Sequence, residues 1–152
     1  ILEKNDFIFL LSLMIIDQND NTDYFLYKFN ISKKDKKRIK IIDNFYKAKI
    51  NTKTFSEKIL NKVFYYDGKQ SILDILNYRI IKSKKNDIVL KELCEIFENK
   101  IKPSMPVNAD LLMKKYKLSE GKQLGEKLRL IEEKWVLNNF KISEKEIEDI
   151  IN

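Results

Sequence analysis

Apolar positions recur every three or four residues along nearly the whole chain and rarely alternate, so the pattern predicts helices from end to end. The first, about Asp6 to Ile16, is apolar on almost every side and is expected to lie in the core. A polar stretch from Asp17 to Asp23 follows, read as a helix–helix turn. A short helix with clustered aromatics begins at Tyr24. Bases could stack on Tyr24, Phe25 or Tyr27, but adjacent aromatics in a small helical domain are usually core, and that is the expectation here. Ser32 stands three residues before Asp35 and caps a helix over 33–50. Lys58 to Tyr65, Gln70 to Lys82 and Asp87 to Ile101 follow, with Gly68 turning the chain between the first two. Leu73, Leu76, Ile80 and Ile81 line one of these helices. Leu90, Cys94, Phe97 and Ile101 line the last, which makes Cys94 an inert member of an apolar stripe.

Pro103 and Pro106 push the residues before them out of the α region and mark a boundary. Beyond it come a helix from about Ala109 to Tyr116, a turn at Ser119 to Gly121, and a helix from Lys122 to about Asn139. Leu124, Leu128, Ile131 and Trp135 face inward on that helix, and a short acidic amphipathic helix closes the chain within Ser143 to Asn152. Gly125 sits inside a helix, where glycine costs about 0.5–1 kcal/mol against alanine, and is expected to admit close approach of the preceding helix. The predicted fold is all-α with no sheet: a helical body of residues 1–102 and a helix-turn-helix tail of residues 103–152. Three glycines and two prolines supply too little turn chemistry for a sandwich or barrel. The sequence opens at Ile1 and is expected to be a piece of a longer protein.

Composition removes several chemistries. There is no histidine, hence no Ser-His-Asp or Cys-His nucleophile pair, and one cysteine, hence no intrachain disulfide and no Cys-based zinc or iron–sulfur site. Asp17, Asn19 and Asn21 have the spacing of a calcium loop. The glycine and glutamate such a loop needs at its sixth and twelfth positions are here Thr22 and Lys28, so no metal site is expected. The longest apolar run, Phe7 to Ile16, is interrupted by Ser12 and falls well short of the ~20 residues of a membrane span. No leader pattern precedes it, and a soluble, reducing, cytoplasmic setting is expected.

The net charge is +7. All but three of the 30 cations are lysines, the exceptions being Arg38, Arg79 and Arg129, and the richness in Lys, Ile and Asn looks like drift towards A/T-rich codons. Bulk basicity therefore says little, whereas its distribution says more. Residues 28–53 hold ten cations and two acids, while the segments at either end of the chain are net acidic. Winding residues 33–50 as a helix puts Lys33, Lys37, Lys40, Asn44 and Lys47 within about 40° of one line, with Ile39, Ile42, Phe45 and Tyr46 opposite. Such a stripe is either a solvated outer face or a surface that tracks a phosphate backbone. In the tail, the turn at Gly121 exposes the first N–H groups of the next helix to a phosphate oxygen, with Lys114, Lys115, Lys117 and Lys122 around it.

The tail also resembles a known family. Pro106, Asp110, Leu111 and Leu112, then Gly121, Leu124 and Gly125, then Leu128, Glu132, Glu133 and Trp135 are similar to the C-terminal signature of bacterial CCA-adding tRNA nucleotidyltransferases and their poly(A) polymerase relatives. Ile59 to Val63 with Gly68, Ile72 to Asp74, and Phe29 to Ser32 resemble the family's body domain. Asn108 and Ala109 stand where the family often has glycine, and Glu120 where it has proline. The family's catalytic Gly-Ser and Asp-x-Asp motifs and its nucleotide-selecting arginine motif are absent from this sequence, so the resemblance implies the back half of such an enzyme. On that reading the partners are tRNA or other structured RNA and the protein's own N-terminal catalytic domain. The Mg²⁺ and nucleotide triphosphates belong to that domain, and no catalytic, metal or cofactor residue is assigned here. The RNA-binding candidates are Lys33, Lys37, Lys40 and Lys47 in the body, and Lys114, Lys115, Gly121 and Lys122 in the tail. The alternatives are a DNA-binding module of helix-hairpin-helix type and a helical protein-interaction module with no nucleic-acid role.

Overall fold

The computed structural model describes residues 6–17, 19–48, 55–83 and 87–152, and among these it contains nine helices and no strand. They are α1 (Phe7–Ile15), α2 (Asn21–Lys28), α3 (Lys33–Lys47), α4 (Glu57–Asp67), α5 (Lys69–Ser83), α6 (Ile88–Asn99), α7 (Ala109–Tyr116), α8 (Lys122–Leu137) and α9 (Glu144–Ile151). The all-α expectation holds. The expected end of the third helix at residue 50, and the rest of the basic stretch to residue 53, lie outside the described residues.

Local chemistry sets most of the helix starts. Asp6, Ser32, Asp87, Asn108 and Ser143 each accept a hydrogen bond from the backbone N–H three residues on, at 2.8–3.3 Å. Each thereby satisfies one of the donors that a helix N-terminus leaves open. At α9 the cap is reciprocal, because the Glu146 carboxylate accepts from the Ser143 N–H at 2.9 Å.

The chain packs into two compact units: one formed by residues up to 54 together with 66–100, the other by 55–65 together with 101–152. In the first, α5 is the central helix. It buries Ile72, Ile75, Leu76 and Tyr78 and packs against α1, α3 and α6. Phe9 and Ile16, with Ile39, Ile42 and Tyr46, complete this core together with Leu26, Leu90 and Phe97. The α3 face opposite the lysine stripe is thus buried as its spacing predicts, with Phe45 half-buried. The Tyr46 hydroxyl donates to the Ile75 carbonyl at 2.7 Å and that of Tyr78 to the Ile16 carbonyl at 2.8 Å, so each buried ring finds an acceptor for its polar tip.

Three expectations about burial fail. α1 is not wrapped by core: Phe9 and Ser12 face inward, while Phe7 (70% exposed), Leu10 and Met14, one helical face, are open to solvent. Its neighbours α2, α3 and α5 cover only the inward side. The Tyr24 and Tyr27 side chains are also exposed, because α2 inserts only Thr22 and Leu26 into the interior. Ile101 follows the end of α6 and is exposed, and Ile81 is exposed as well. Cys94 is half-buried in its stripe, and burial pushes its thiol above the ordinary range, which keeps it protonated, in line with the inert reading.

The second unit is built on α8, which packs against α7 and α9. Val107, Leu112, Leu124, Ile131 and Ile147 form its core, with Leu128 partly buried against them. Leu60 and Phe64 of α4 are buried too, and the neighbouring Tyr65 ring meets Trp135 edge-on at 5.4 Å between centroids. Trp135 is 2% exposed, and the Phe140 ring packs on it at 5.1 Å. The Phe140 N–H donates to the Trp135 carbonyl at 2.9 Å, closing the end of α8 through two left-handed residues, Asn139 and Phe140. Gly125 corrects another expectation. A Cβ built there meets nothing within 4 Å, so no helix approaches it.

A candidate nucleic-acid interface

The lysine stripe forms, but α2 edits it. α2 packs against α3, and Thr22 donates through Oγ1 to the buried Asp43 carboxylate at 3.3 Å. This places Asp23 against the C-terminal half of the stripe, where its carboxylate meets Lys40 at 2.8 Å and Lys47 at 3.3 Å. Lys47 also meets Asp43 at 2.9 Å. The two lysines hold the Asp23 carboxyl below the usual carboxylate range, with the hydrogen bond to Lys40 contributing most. Hydrogen bonding to Asp43 and then Asp23 raises Lys47 above the usual lysine range. This end of the stripe is a nearly neutral cluster of two cations and two anions.

The N-terminal half is different. Lys33, Lys34 and Lys37 are exposed and make no ion pair among the described residues, and the same holds for Lys28 at the end of α2. Asp35, the acid inside this group, accepts a hydrogen bond from the Ser32 hydroxyl at 2.7 Å. Arg38 points away from the stripe and into the protein. Its guanidinium donates through Nε and Nη2 to Asp74 at 2.6 and 2.8 Å and through Nη1 and Nη2 to Asp6, tying α3 to α5 and to the cap of α1. It is a structural cation, raised far above the already high arginine range chiefly by hydrogen bonding to Asp74.

In the second unit the four tail candidates cluster around one turn. α7 ends at Lys117 in the left-handed conformation (φ 55°), and α8 begins after Gly121 (φ 145°), a value open only to glycine. No side chain caps α8, there is no acid in its first turn, and nothing lies within 4 Å of the missing Gly121 side chain. Its first N–H groups are therefore approachable from solvent. Lys122 is exposed, with Glu126 at 3.9 Å as a loose partner. Lys114 and Lys117 are exposed and make no ion pair among the described residues. Lys115 is engaged: it pairs with Glu144 of α9, and its ammonium lies 5.5 Å from the centre of the Tyr116 ring.

Of the eight candidates, Lys33, Lys37, Lys114 and Lys122 thus present charge outward, and Gly121 presents backbone donors. Lys40, Lys47 and Lys115 are held by acids. Lys34, on the same end of α3, joins the first group and was missed because it stands about 100° off the line of the stripe. The Asp23 pairing was invisible in the sequence, since Asp23 lies far along the chain from Lys40 and only tertiary packing joins them. The loop with calcium-like spacing is a turn held by its own side chains: the Asp17 carboxylate accepts from the Asn19 N–H and from Asn21 Nδ2. Among the described residues, no helix is long and apolar enough to cross a membrane. No known protein family, curated protein or solved structure matches this chain.

Proposed function

We propose that this chain grips RNA by its sugar-phosphate backbone and belongs to the C-terminal, RNA-positioning part of a CCA-adding tRNA nucleotidyltransferase or poly(A) polymerase, with nucleotide addition performed by a separate catalytic head. The observation that carries the binding part is the exposed group Lys33, Lys34 and Lys37 on one end of α3, none of which is ion-paired among the described residues. A row of ammonium groups on a rigid helix neutralises successive phosphates without reading sequence. The open amides at Gly121 beside Lys122 offer a second point of phosphate contact. The enzyme assignment rests on the resemblance of the tail and body residues alone.

Fluorescence anisotropy with labelled tRNA tests the binding. Affinity is expected to fall steeply and linearly on a log–log plot as salt rises from 50 to 200 mM, and Lys33→Glu with Lys37→Glu should weaken it with unchanged helicity. Absence of binding at 50 mM salt, or binding indifferent to salt, overturns the reading in favour of a protein-interaction module. Tighter binding to duplex DNA than to tRNA replaces RNA with DNA. Incubated alone with nucleotide triphosphates, Mg²⁺ and trimmed tRNA, the chain should extend nothing.

A further inference from the structure

We infer that Tyr24 and Tyr27 form a stacking platform for unpaired bases beside the lysines of α3, so that the RNA segment held there is single-stranded. The inference rests on the RNA-binding reading above and deepens it. Burying two tyrosines in a small helical domain is the ordinary outcome, yet here they are 65% and 88% exposed. They stand three residues apart on α2, so they are neighbours on one helical face, with rings about 5–6 Å apart at Cβ. Asp23 fixes where that face lies, because its carboxylate touches Lys40 of α3 at 2.8 Å. From Asp23 to Tyr27 along α2, and from Lys40 to Lys37 along α3, the chain moves about one turn towards the residues 29–32 that join the two helices. Tyr27 therefore stands level with the uncountered end of the lysine row.

This combination fits one kind of occupant. Phosphates of a strand running along Lys33 and Lys37 would leave its bases facing the two rings, and stacking on an exposed ring needs a base freed from pairing. In a duplex the bases are stacked on each other and the narrow major groove admits no side chain. Asp23 does not repel the strand, since two lysines already neutralise it. A protein partner would find the same rings attractive, but the cations beside them favour a polyanion.

The test uses the 152-residue chain and two fluorescein-labelled RNA probes with the same number of phosphates, an unstacked oligouridylate and a blunt hairpin duplex. Tyr24→Ala with Tyr27→Ala should weaken the single-strand probe about five- to hundredfold while leaving the duplex affinity and the salt slope unchanged. Tyr27→Trp should retain or improve single-strand binding. A 2-aminopurine placed in the oligouridylate should be quenched by the wild type and not by the double alanine variant, a signature of stacking that a merely structural tyrosine would not give. Both side chains are exposed, so circular dichroism should show the variants folded. If the wild type binds the single strand and the alanine variants bind it equally well, the stacking platform is overturned while backbone binding stands. If the wild type binds neither probe at 50 mM salt, both proposals fall.

Discussion

Asp23 shows how a single carboxylate redraws a surface. The stripe read along α3 has its lysines on one line, yet a residue of another helix cancels its C-terminal half and leaves Lys33, Lys34 and Lys37 as the part able to meet a phosphate. Three other residues carry sharp expectations at this scale. Gly125 occupies an exposed helix interior with open space where a side chain would go. Gly125→Ala should therefore stabilise the protein by about 0.5–1 kcal/mol in urea unfolding, through lower unfolded-state entropy and better helix propensity. Gly121 is the contrasting case, since its φ of 145° makes alanine strained there. Trp135 is packed between Tyr65 and Phe140, and Trp135→Ala should cost about 3–5 kcal/mol. A change below about 1 kcal/mol would place that ring outside the core.

At the scale of elements, the joint between α1, α3 and α5 depends on one guanidinium. Arg38 satisfies Asp74, whose side chain is 4% exposed, together with Asp6. Removing it strands a buried carboxylate, so Arg38→Ala should destabilise by about 3–5 kcal/mol. Arg38→Lys should recover only part of the loss, because a single ammonium cannot serve both carboxylates with the same fork of donors. Differential scanning calorimetry of the two variants checks both statements. The capping box of α9 is the second joint. Ser143→Ala removes the acceptor for the Glu146 N–H and should cost about 1 kcal/mol, read as a lower urea midpoint with an unchanged slope.

For the whole molecule, pH dependence follows from the groups that folding perturbs. Asp6 is half-buried, which by itself raises its pKa, but hydrogen bonds from Arg38 and the Phe9 N–H outweigh this and lower it. Glu146 is lowered by the Ser143 N–H and hydroxyl. Carboxylates lowered on folding contribute stability that is present above their unfolded pKa near 4 and lost as pH falls through the lower folded value. At the other limb, burial raises Tyr46, which contributes stability below its ordinary value near 10 that is lost as pH climbs beyond it. With no histidine in the chain, the melting temperature should be nearly flat between about pH 5 and 8, falling on both sides, the Cys94 thiol raised by burial adding to the fall on the alkaline side. A clear titration near pH 6.5 would contradict this.

The helices could be read from the chain alone, because their signals are local. Ser32, Asn108 and Ser143 cap the backbone within three residues, and the apolar spacing of α3 and α8 picks out the faces that Ile39 and Ile42, and Leu124 and Ile131, bury. It also placed Lys33, Lys37, Gly121 and Lys122 at an outward surface. Tertiary packing decided what no local pattern encodes. It left one face of α1 open, turned Tyr24 and Tyr27 outward, sent Arg38 inward to Asp74, and brought Asp23 against Lys40. Helix periodicity fixes which residues share a face, but whether another helix covers that face, and with which charge, depends on contacts between residues far apart in the chain.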